Sequence, residues 1–127
     1  MTERGNPYNG TQPVVEIVGR VATVRPTGEI DIATAPALSR ALDEALGLLR
    51  ASRADHIVTD CSQVTFCDSS GLNALLAARR EAAKTNTEIH LANPAPQLRR
   101  LLQISGTDVL FPPPDDPPAG APPTAGT

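Results

Sequence analysis

The 127-residue chain has the size of one domain, a formal net charge of −3, and only two Phe, one Tyr and no Trp as aromatic residues. So few rings provide no platforms for stacking bases, and the arginines are spread along the chain instead of forming a basic patch, which argues against nucleic-acid binding. The two cysteines, Cys61 and Cys67, fit neither a CxxC redox pair nor half of a zinc site. We therefore expect one folded domain with small, buried cysteines.

Both ends of the chain are predicted to lie outside that domain, which we place at residues 13–111. Residues 1–12 lack apolar periodicity and are predicted to form a flexible lead-in. Residues 112–127 consist mainly of Pro, Ala, Gly, Thr and Asp, which bury too little apolar surface to offset their ordering entropy, so a disordered tail is predicted. Without a charged and apolar leader or a run of membrane-spanning length, we expect a cytoplasmic location and no membrane partner.

Two β-branched runs, residues 14–18 and 21–25, open the predicted domain. They are separated by Gly19 and Arg20, and two residues with Gly first are typical of a type II′ hairpin turn. Pro26 cannot donate to a β-ladder, so the second strand should end there or face an edge. Residues 28–31 follow and end in an acid, Asp31.

Helices and strands alternate over the rest of the domain. Thr34 is predicted to cap a first helix whose apolar positions run from Leu38 to Leu49 at spacings of three and four residues. A strand at residues 56–60 follows, and its apolar centre indicates burial on both faces. Helices alternating with such strands predict an α/β fold in which parallel strands are joined by helical crossovers and the hairpin is an antiparallel addition to a single sheet.

The second half of the domain repeats this alternation. A strand from Val64 turns at residues 68–70 into a second helix, which Asn86 can stop. A strand at residues 88–91 precedes a third helix that Asn93 and Pro94 are predicted to cap and Gly106 to end. Residues 109–111 are a candidate for a last short strand.

Catalytic motifs are hard to find in this sequence. No GxSxG surrounds Ser69 or Ser70, and neither a GxxxxGK[ST] loop nor a GxGxxG follows a strand. Both histidines, His56 and His90, lie in or beside predicted strands, where a structural role is the more common one.

Asp31, Asp60 and Asp68 are candidate Mg²⁺ ligands, because all three end or follow strands, where ligand sites of open α/β sheets gather. Without a lysine or a second catalytic motif beside them, we expect neither a metal nor a cofactor.

The corner at residues 68–71 is the most informative stretch. Asp68, Ser69 and Ser70 can each accept a backbone N–H bond at a helix start, so a simple helix cap is one interpretation. One capping residue suffices, however, and here an acid is followed by two hydroxyls and a Gly. Unpaired N–H groups and the helix dipole favour an added anion at such a place, including a phosphate carried by the chain itself.

This corner resembles the STAS domain of bacterial anti-sigma factor antagonists. The resemblance also includes residues 60–67 before the corner, residues 28–31 upstream and the helix at residues 93–106. The resemblance covers about residues 14–111. It implies a mixed sheet of four to five strands with helices packed mainly on one side, and no catalytic activity. It also implies partner switching, in which the unphosphorylated antagonist binds an anti-sigma factor that is a serine kinase and so frees a sigma factor. Phosphorylation of the first motif serine ends the binding and a phosphatase restores it.

Carried onto this sequence, the resemblance makes Ser69 the phosphoacceptor. Its expected neighbours and partner-binding residues are Asp31, Asp68, Ser70, Gly71, Leu72 and Asn73. ATP and Mg²⁺ would belong to the kinase, since this chain has no phosphate-cradling loop. Cys61 and Cys67 stand where aliphatic residues are more usual, and Asn73 stands where Gly is frequent.

Two other interpretations remain open. The chain could be a STAS accessory subunit of a stressosome-like or lipid-transport assembly, or an enzyme that uses Ser69 as a nucleophile.

Overall fold

The computed structural model describes residues 12–114. The lead-in predicted at residues 1–12 lies outside these residues except for Gln12, and so does the tail beyond Pro114. The strands are β1 (Val14–Val18), β2 (Val21–Arg25), β3 (Gly28–Ile30), β4 (His56–Asp60), β5 (Val64–Cys67) and β6 (Ile89–Ala92). The helices are α1 (Ala35–Arg50), α2 (Ser69–Ala83), α3 (Pro96–Ser105) and a 3₁₀ helix (Asp108–Leu110).

Four strands form a mixed sheet in the order β1-β2-β4-β6. β1 and β2 pair antiparallel across the predicted two-residue turn, where Gly19 has a φ of 62°. β2, β4 and β6 are parallel, which requires the helical crossovers that the alternating pattern predicted. The predicted mixed sheet is therefore confirmed.

The remaining two strands, β3 and β5, form a separate parallel pair. The expectation of a single sheet was wrong in this respect, and two residues account for the separation. Pro26 follows β2 directly and has no N–H to continue a ladder, and Gly28 has a φ of 76°, a conformation that few other residues adopt. The chain leaves the main sheet there and begins a second one.

The core lies between the main sheet and the helices. α1 contributes buried residues at the predicted spacing and packs against α2 and β2. In the sheet, Ala22, Ile57 and Ile89 are paired neighbours on the face that joins the same core cluster. Each fully buried Leu or Ile side chain contributes about 1.5–3 kcal/mol relative to exposure.

The segment predicted as a last strand is the 3₁₀ helix instead. Gly106 ends α3 in the left-handed conformation, with a φ of 75°, and Leu110 N–H then bonds to the Thr107 carbonyl at 2.9 Å. The next residues take the place of the predicted strand beside β6, because Leu91 N–H donates to the Pro112 carbonyl at 3.0 Å. Proline has no N–H with which to return the bond, so no regular ladder forms.

The predicted start of the third helix is also corrected. α3 begins at Pro96, with Ala95 at the capping position and no side-chain cap. Proline is well suited to the first helical position because its φ is preset and its missing N–H would be unpaired there. Asn93 instead has a φ of 56°, and its amide donates to Asp60 Oδ1 at 3.2 Å.

Asp60 ties the ends of three strands together. Its side chain is 2% exposed and accepts bonds from Arg25 Nε (3.2 Å), Asn93 Nδ2 (3.2 Å) and Ser62 N–H (3.1 Å). Arg25 also donates to Glu16 at 2.8 Å. Burial raises the pKa of Asp60, but the hydrogen bonds from Asn93, Ser62 and Arg25 outweigh it, so the pKa lies below its ordinary value.

A lowered pKa in the folded state links this network to acid stability. The stabilisation is present above the unfolded-state pKa, about 3.9, and is lost as the pH falls through the folded-state value. We expect Asp60→Asn to lower the free energy of unfolding at pH 7 by about 1–3 kcal/mol, and to lose less stability than wild type between pH 5 and about pH 2. Urea unfolding at each pH measures both effects.

The control is Asp55→Asn, which breaks the exposed pair with Arg20 and should change little. Equal acid sensitivity of Asp60→Asn and wild type would contradict the prediction.

Candidate functional site

The predicted corner is a strand end joined directly to a helix start. β5 ends at Cys67, and α2 begins at Ser69 with Asp68 as its N-cap. Asp68 Oδ1 accepts the Ser70 N–H at 2.8 Å. Since Asp68 caps the helix, neither serine hydroxyl is needed for that purpose.

Ser69 occupies the first position of α2 and is exposed. Within residues 12–114, no hydrogen bond engages its hydroxyl. The hydroxyl is therefore available to solvent or to another protein, at the positive end of a helix of 15 residues.

The loop after β3 lies beside this corner. Ile30 is paired with Cys67, and Asp68 N–H donates to the Ile30 carbonyl at 3.0 Å. Asp31 and Asp68 directly follow these paired residues. The structure thus brings both predicted acidic neighbours to the end of the β3–β5 pair at which α2 starts.

Asp31 has a structural task in this loop. Its Oδ1 accepts bonds from Ala33 N–H at 3.0 Å and from Thr34 N–H at 3.1 Å. Thr34 occupies the capping position of α1, but its hydroxyl makes no cap bond to that helix and donates to the Glu29 carbonyl at 2.9 Å. The predicted capping role of the Thr34 side chain is therefore wrong. The first N–H of α1, that of Ala35, donates to the backbone carbonyl of Asp31 at 2.7 Å, and the Asp31 carboxylate holds the two N–H groups that precede the helix.

Ile32 is a surface residue that the sequence analysis missed. It is 81% exposed, in the loop that Asp31 and Thr34 hold in shape. Phe66, on β5, is also partly exposed, at 41%. The available signal for Ile32 was a single apolar residue between the end of a strand and the start of an amphipathic helix, outside the periodic pattern of either.

Gly71 and Leu72 face the interior of the domain, and their role in partner binding stays a prediction. Leu72 is 6% exposed and belongs to the core. A Cβ atom at Gly71 would lie 2.5 Å from Cys67 Sγ and 2.7 Å from Ile30 Cγ2. Gly71 thus lets α2 approach the β3–β5 pair.

The other two predicted residues of α2 reach the surface to different extents. Asn73 is exposed and Ser70 is half-buried.

Gln97, in the first turn of α3, is a second residue that the sequence analysis missed. Its Oε1 accepts the Cys67 N–H at 2.9 Å, and its Nε2 donates to the Cys67 carbonyl at 2.7 Å. A glutamine in a helix that carries other polar residues gave no signal of this contact, because it joins residues 30 positions apart.

Both cysteines are free and buried, as predicted. Burial raises the pKa of the Cys67 thiol to about 11 and raises that of Cys61 as well. Both thiols are therefore protonated at neutral pH and act as packing groups.

The three predicted aspartates do not form one cluster. Asp60 bonds to Arg25 and Asn93, whereas Asp31 and Asp68 each bond to backbone N–H groups two or three residues further along the chain. In the part of the chain from residue 12 to residue 114, no group of three His, Cys, Asp or Glu side chains is placed to hold a metal ion. No helix of that part has the length and apolar character to cross a membrane.

The close approach at Gly71 makes a specific prediction. Gly71→Ala should displace the first turn of α2 or lower the free energy of unfolding by about 1–3 kcal/mol, because the new methyl group overlaps Cys67 and Ile30. The control is Gly47→Ala in α1, where nothing lies within 4 Å of the added Cβ and a small stabilisation is expected. Urea denaturation measures both variants. Equal stability changes would show that Gly71 is not a packing requirement.

The match to known proteins covers most of the chain. Residues 12–116 match the STAS domain. An anti-sigma F factor antagonist of Paenibacillus polymyxa is 30% identical over 92 residues, 72% of this chain and 76% of the relative. A STAS-domain containing protein of Pseudomonas aeruginosa is 43% identical over 54 residues, 42% of this chain, and the match spans about half (54%) of that protein's length.

Solved structures show the same fold. An anti-sigma factor antagonist from Mycobacterium paratuberculosis has 32% identity and a TM-score of 0.64 over 82% of this chain and 85% of its own. The Bacillus cell fate determinant SpoIIAA in its phosphorylated form has 24% identity and a TM-score of 0.62 over 82% of this chain and 92% of its own. The relatives and structural neighbours thus include anti-sigma factor antagonists, and the chain itself belongs to the STAS domain family.

Proposed function

We propose that this chain is an anti-sigma factor antagonist controlled by phosphorylation of Ser69. Its unphosphorylated form binds an anti-sigma factor that is also a serine kinase, and the bound anti-sigma factor releases a sigma factor. A serine phosphatase reverses the modification. The chain has no catalytic role in this scheme, and we place it in the cytoplasm with those partners.

The observation that carries the proposal is that the residue that caps α2 and the residue with the exposed hydroxyl are different ones. Asp68 caps α2, while the adjacent Ser69 hydroxyl is exposed and is not used by any residue from 12 to 114. A kinase can therefore reach the hydroxyl without first breaking the fold. Relatives and neighbours of this family support the direction of the proposal, since they include an anti-sigma F factor antagonist and a phosphorylated SpoIIAA.

A phosphate on Ser69 is compatible with the folded domain. It would add about −1.5 to −2 charges at the first position of α2. The dipole and the unpaired N–H groups of a helix N-terminus favour negative charge there. The cap itself is unaffected, because Ser70 N–H bonds to Asp68 and not to Ser69. The domain can thus keep one conformation in both states.

An interface over the same corner is not compatible with the phosphate. Asp31 and Asp68 already place two carboxylates at this end of the β3–β5 pair, and a partner that covers it would have to desolvate a third anionic group. An unmatched buried charge costs several kcal/mol, which changes affinity by orders of magnitude. Modification can thus end binding without refolding.

The geometry favours the switch over a serine nucleophile. A nucleophilic serine needs a base within hydrogen-bond reach. His90 Nδ1 lies 3.3 Å from the Pro113 carbonyl oxygen, and the His90 ring contacts the ring of His56, with 6.5 Å between centroids. Neither ring makes a hydrogen bond to Ser69.

Phosphorylation and its mimic test the proposal. When the protein is incubated with the kinase and ATP, peptide mass spectrometry should place the phosphate on Ser69. Ser69→Asp should weaken anti-sigma factor binding by about a hundredfold or more, measured by titration calorimetry, with an unchanged circular dichroism spectrum. The control is Ser52→Asp, which adds the same charge far from Ser69. Ser52 lines a surface pocket together with Thr85, which follows the C-terminal end of α2, whereas Ser69 is at its N-terminal end. A phosphate elsewhere, or equal affinities for the Ser69 variant and wild type, would overturn the proposal.

Ile32 offers a test of where the partner binds. An exposed Ile beside the corner should be buried by a partner that covers Ser69, so Ile32→Asp should weaken binding by about tenfold to a hundredfold without lowering the melting temperature. Ile104→Asp is the matched control, because Ile104 is 77% exposed and lies on α3. Equal effects of the two variants would show that the β3–α1 loop is not the docking surface.

A further inference from the structure

The backbone just before Ser69 is held from two sides. On one side, Asp68 N–H donates to the Ile30 carbonyl of β3 at 3.0 Å. On the other side, both polar backbone groups of Cys67 bond to the side-chain amide of Gln97, at 2.9 Å and 2.7 Å. The peptide groups that lead into α2 are thus hydrogen-bonded to a strand on one side and to a helix on the other. We call the two bonds between Gln97 and Cys67 the clamp.

Gln97 replaces a strand at this edge. In a parallel pair, the N–H and carbonyl of one residue point to the same side of the strand. Asp68 N–H points to β3, so the two groups of Cys67 point away from it. A strand edge exposes such groups unless something covers them. The amide of Gln97, with one acceptor and one donor, makes both bonds that a neighbouring strand would make.

No other side chain makes this contact within the described part of the chain. Cys67 is 0% exposed, so water does not readily replace the amide. Buried backbone groups without partners are costly, which makes the position of the Gln97 side chain a condition for this backbone path. Leu98 and Leu102, both buried, anchor the helix that carries Gln97.

We propose that Gln97 is a positioning residue that ties α3 to the corner and so orients Ser69 toward the kinase and the anti-sigma factor. The proposal rests on the proposed function for its effect on Ser69. The clamp itself is a property of the fold and can be measured without a partner. Loss of the clamp should let the 67–69 backbone sample other conformations and lower the fraction of molecules with Ser69 in the competent one.

Amide hydrogen exchange tests the clamp directly. In Gln97→Leu, exchange of the Cys67 N–H should accelerate about tenfold or more, because its acceptor is gone. In Gln97→Glu, the carboxylate still accepts from that N–H but cannot donate to the Cys67 carbonyl, so the Cys67 N–H should remain protected while the Asp68 and Ser69 amide resonances shift. The control is Gln103→Leu, on the same helix and exposed, which should leave all of these signals unchanged.

Phosphorylation kinetics test the consequence for Ser69. With wild type as substrate, the kinase gives reference values of kcat and KM. Gln97→Leu should lower kcat/KM about tenfold, mainly through kcat if Ser69 is misoriented in the bound complex, and Gln103→Leu should not. Circular dichroism melting checks that the variants are folded. If Gln97→Leu does not fold, Gln97→Glu is used in its place.

The two proposals fail in distinguishable ways. Unchanged Cys67 exchange in Gln97→Leu, or unchanged phosphorylation kinetics in a variant whose clamp is open, would overturn the role of Gln97. Absence of phosphate on Ser69 in wild type would overturn the proposed function, while the exchange measurement would still decide whether the clamp exists.

Discussion

The parallel pairing of β3 with β5 is the constraint on which the rest of the site depends. It aligns Ile30 with Cys67, and therefore brings together the loop that begins at Asp31 and the helix that begins at Ser69. These segments are almost forty residues apart in the chain. The pair is separate from the main sheet, and its end carries an exposed loop residue, Ile32, and the exposed Ser69.

Packing and exposure divide the residues of the corner into two groups. Gly71 and Leu72 face inward, since α2 approaches the β3–β5 pair so closely that no Cβ fits at Gly71. Ser69 and Asn73 face outward. The two inward residues lie between the two outward ones in the chain, so the inward contacts hold the outward residues in a defined place. A modification of the outward group can then act on a partner without disturbing the core.

The acidic residues near Ser69 show how structure and charge are combined. Asp31 and Asp68 each satisfy backbone N–H groups at the entrance of a helix. The same two carboxylates place negative charge at this corner before any modification. Under the proposed function, a phosphate adds to negative charge that is already present, so the final potential that a partner meets is more negative than at a neutral surface.

Local patterns in the sequence were sufficient for the features that depend on neighbouring residues. The hairpin at Gly19, the buried face of α1 and the strand-to-helix corner at Asp68 all follow from turn chemistry, helical periodicity and capping within a few residues. The motif at the corner also sufficed for the family. Only the tertiary structure decided the second parallel pair, the inward position of Leu72, the exposure of Ile32 and the clamp of Gln97 on Cys67. Each of these depends on which distant segments meet, and the periodicity of a single chain carries no information about that.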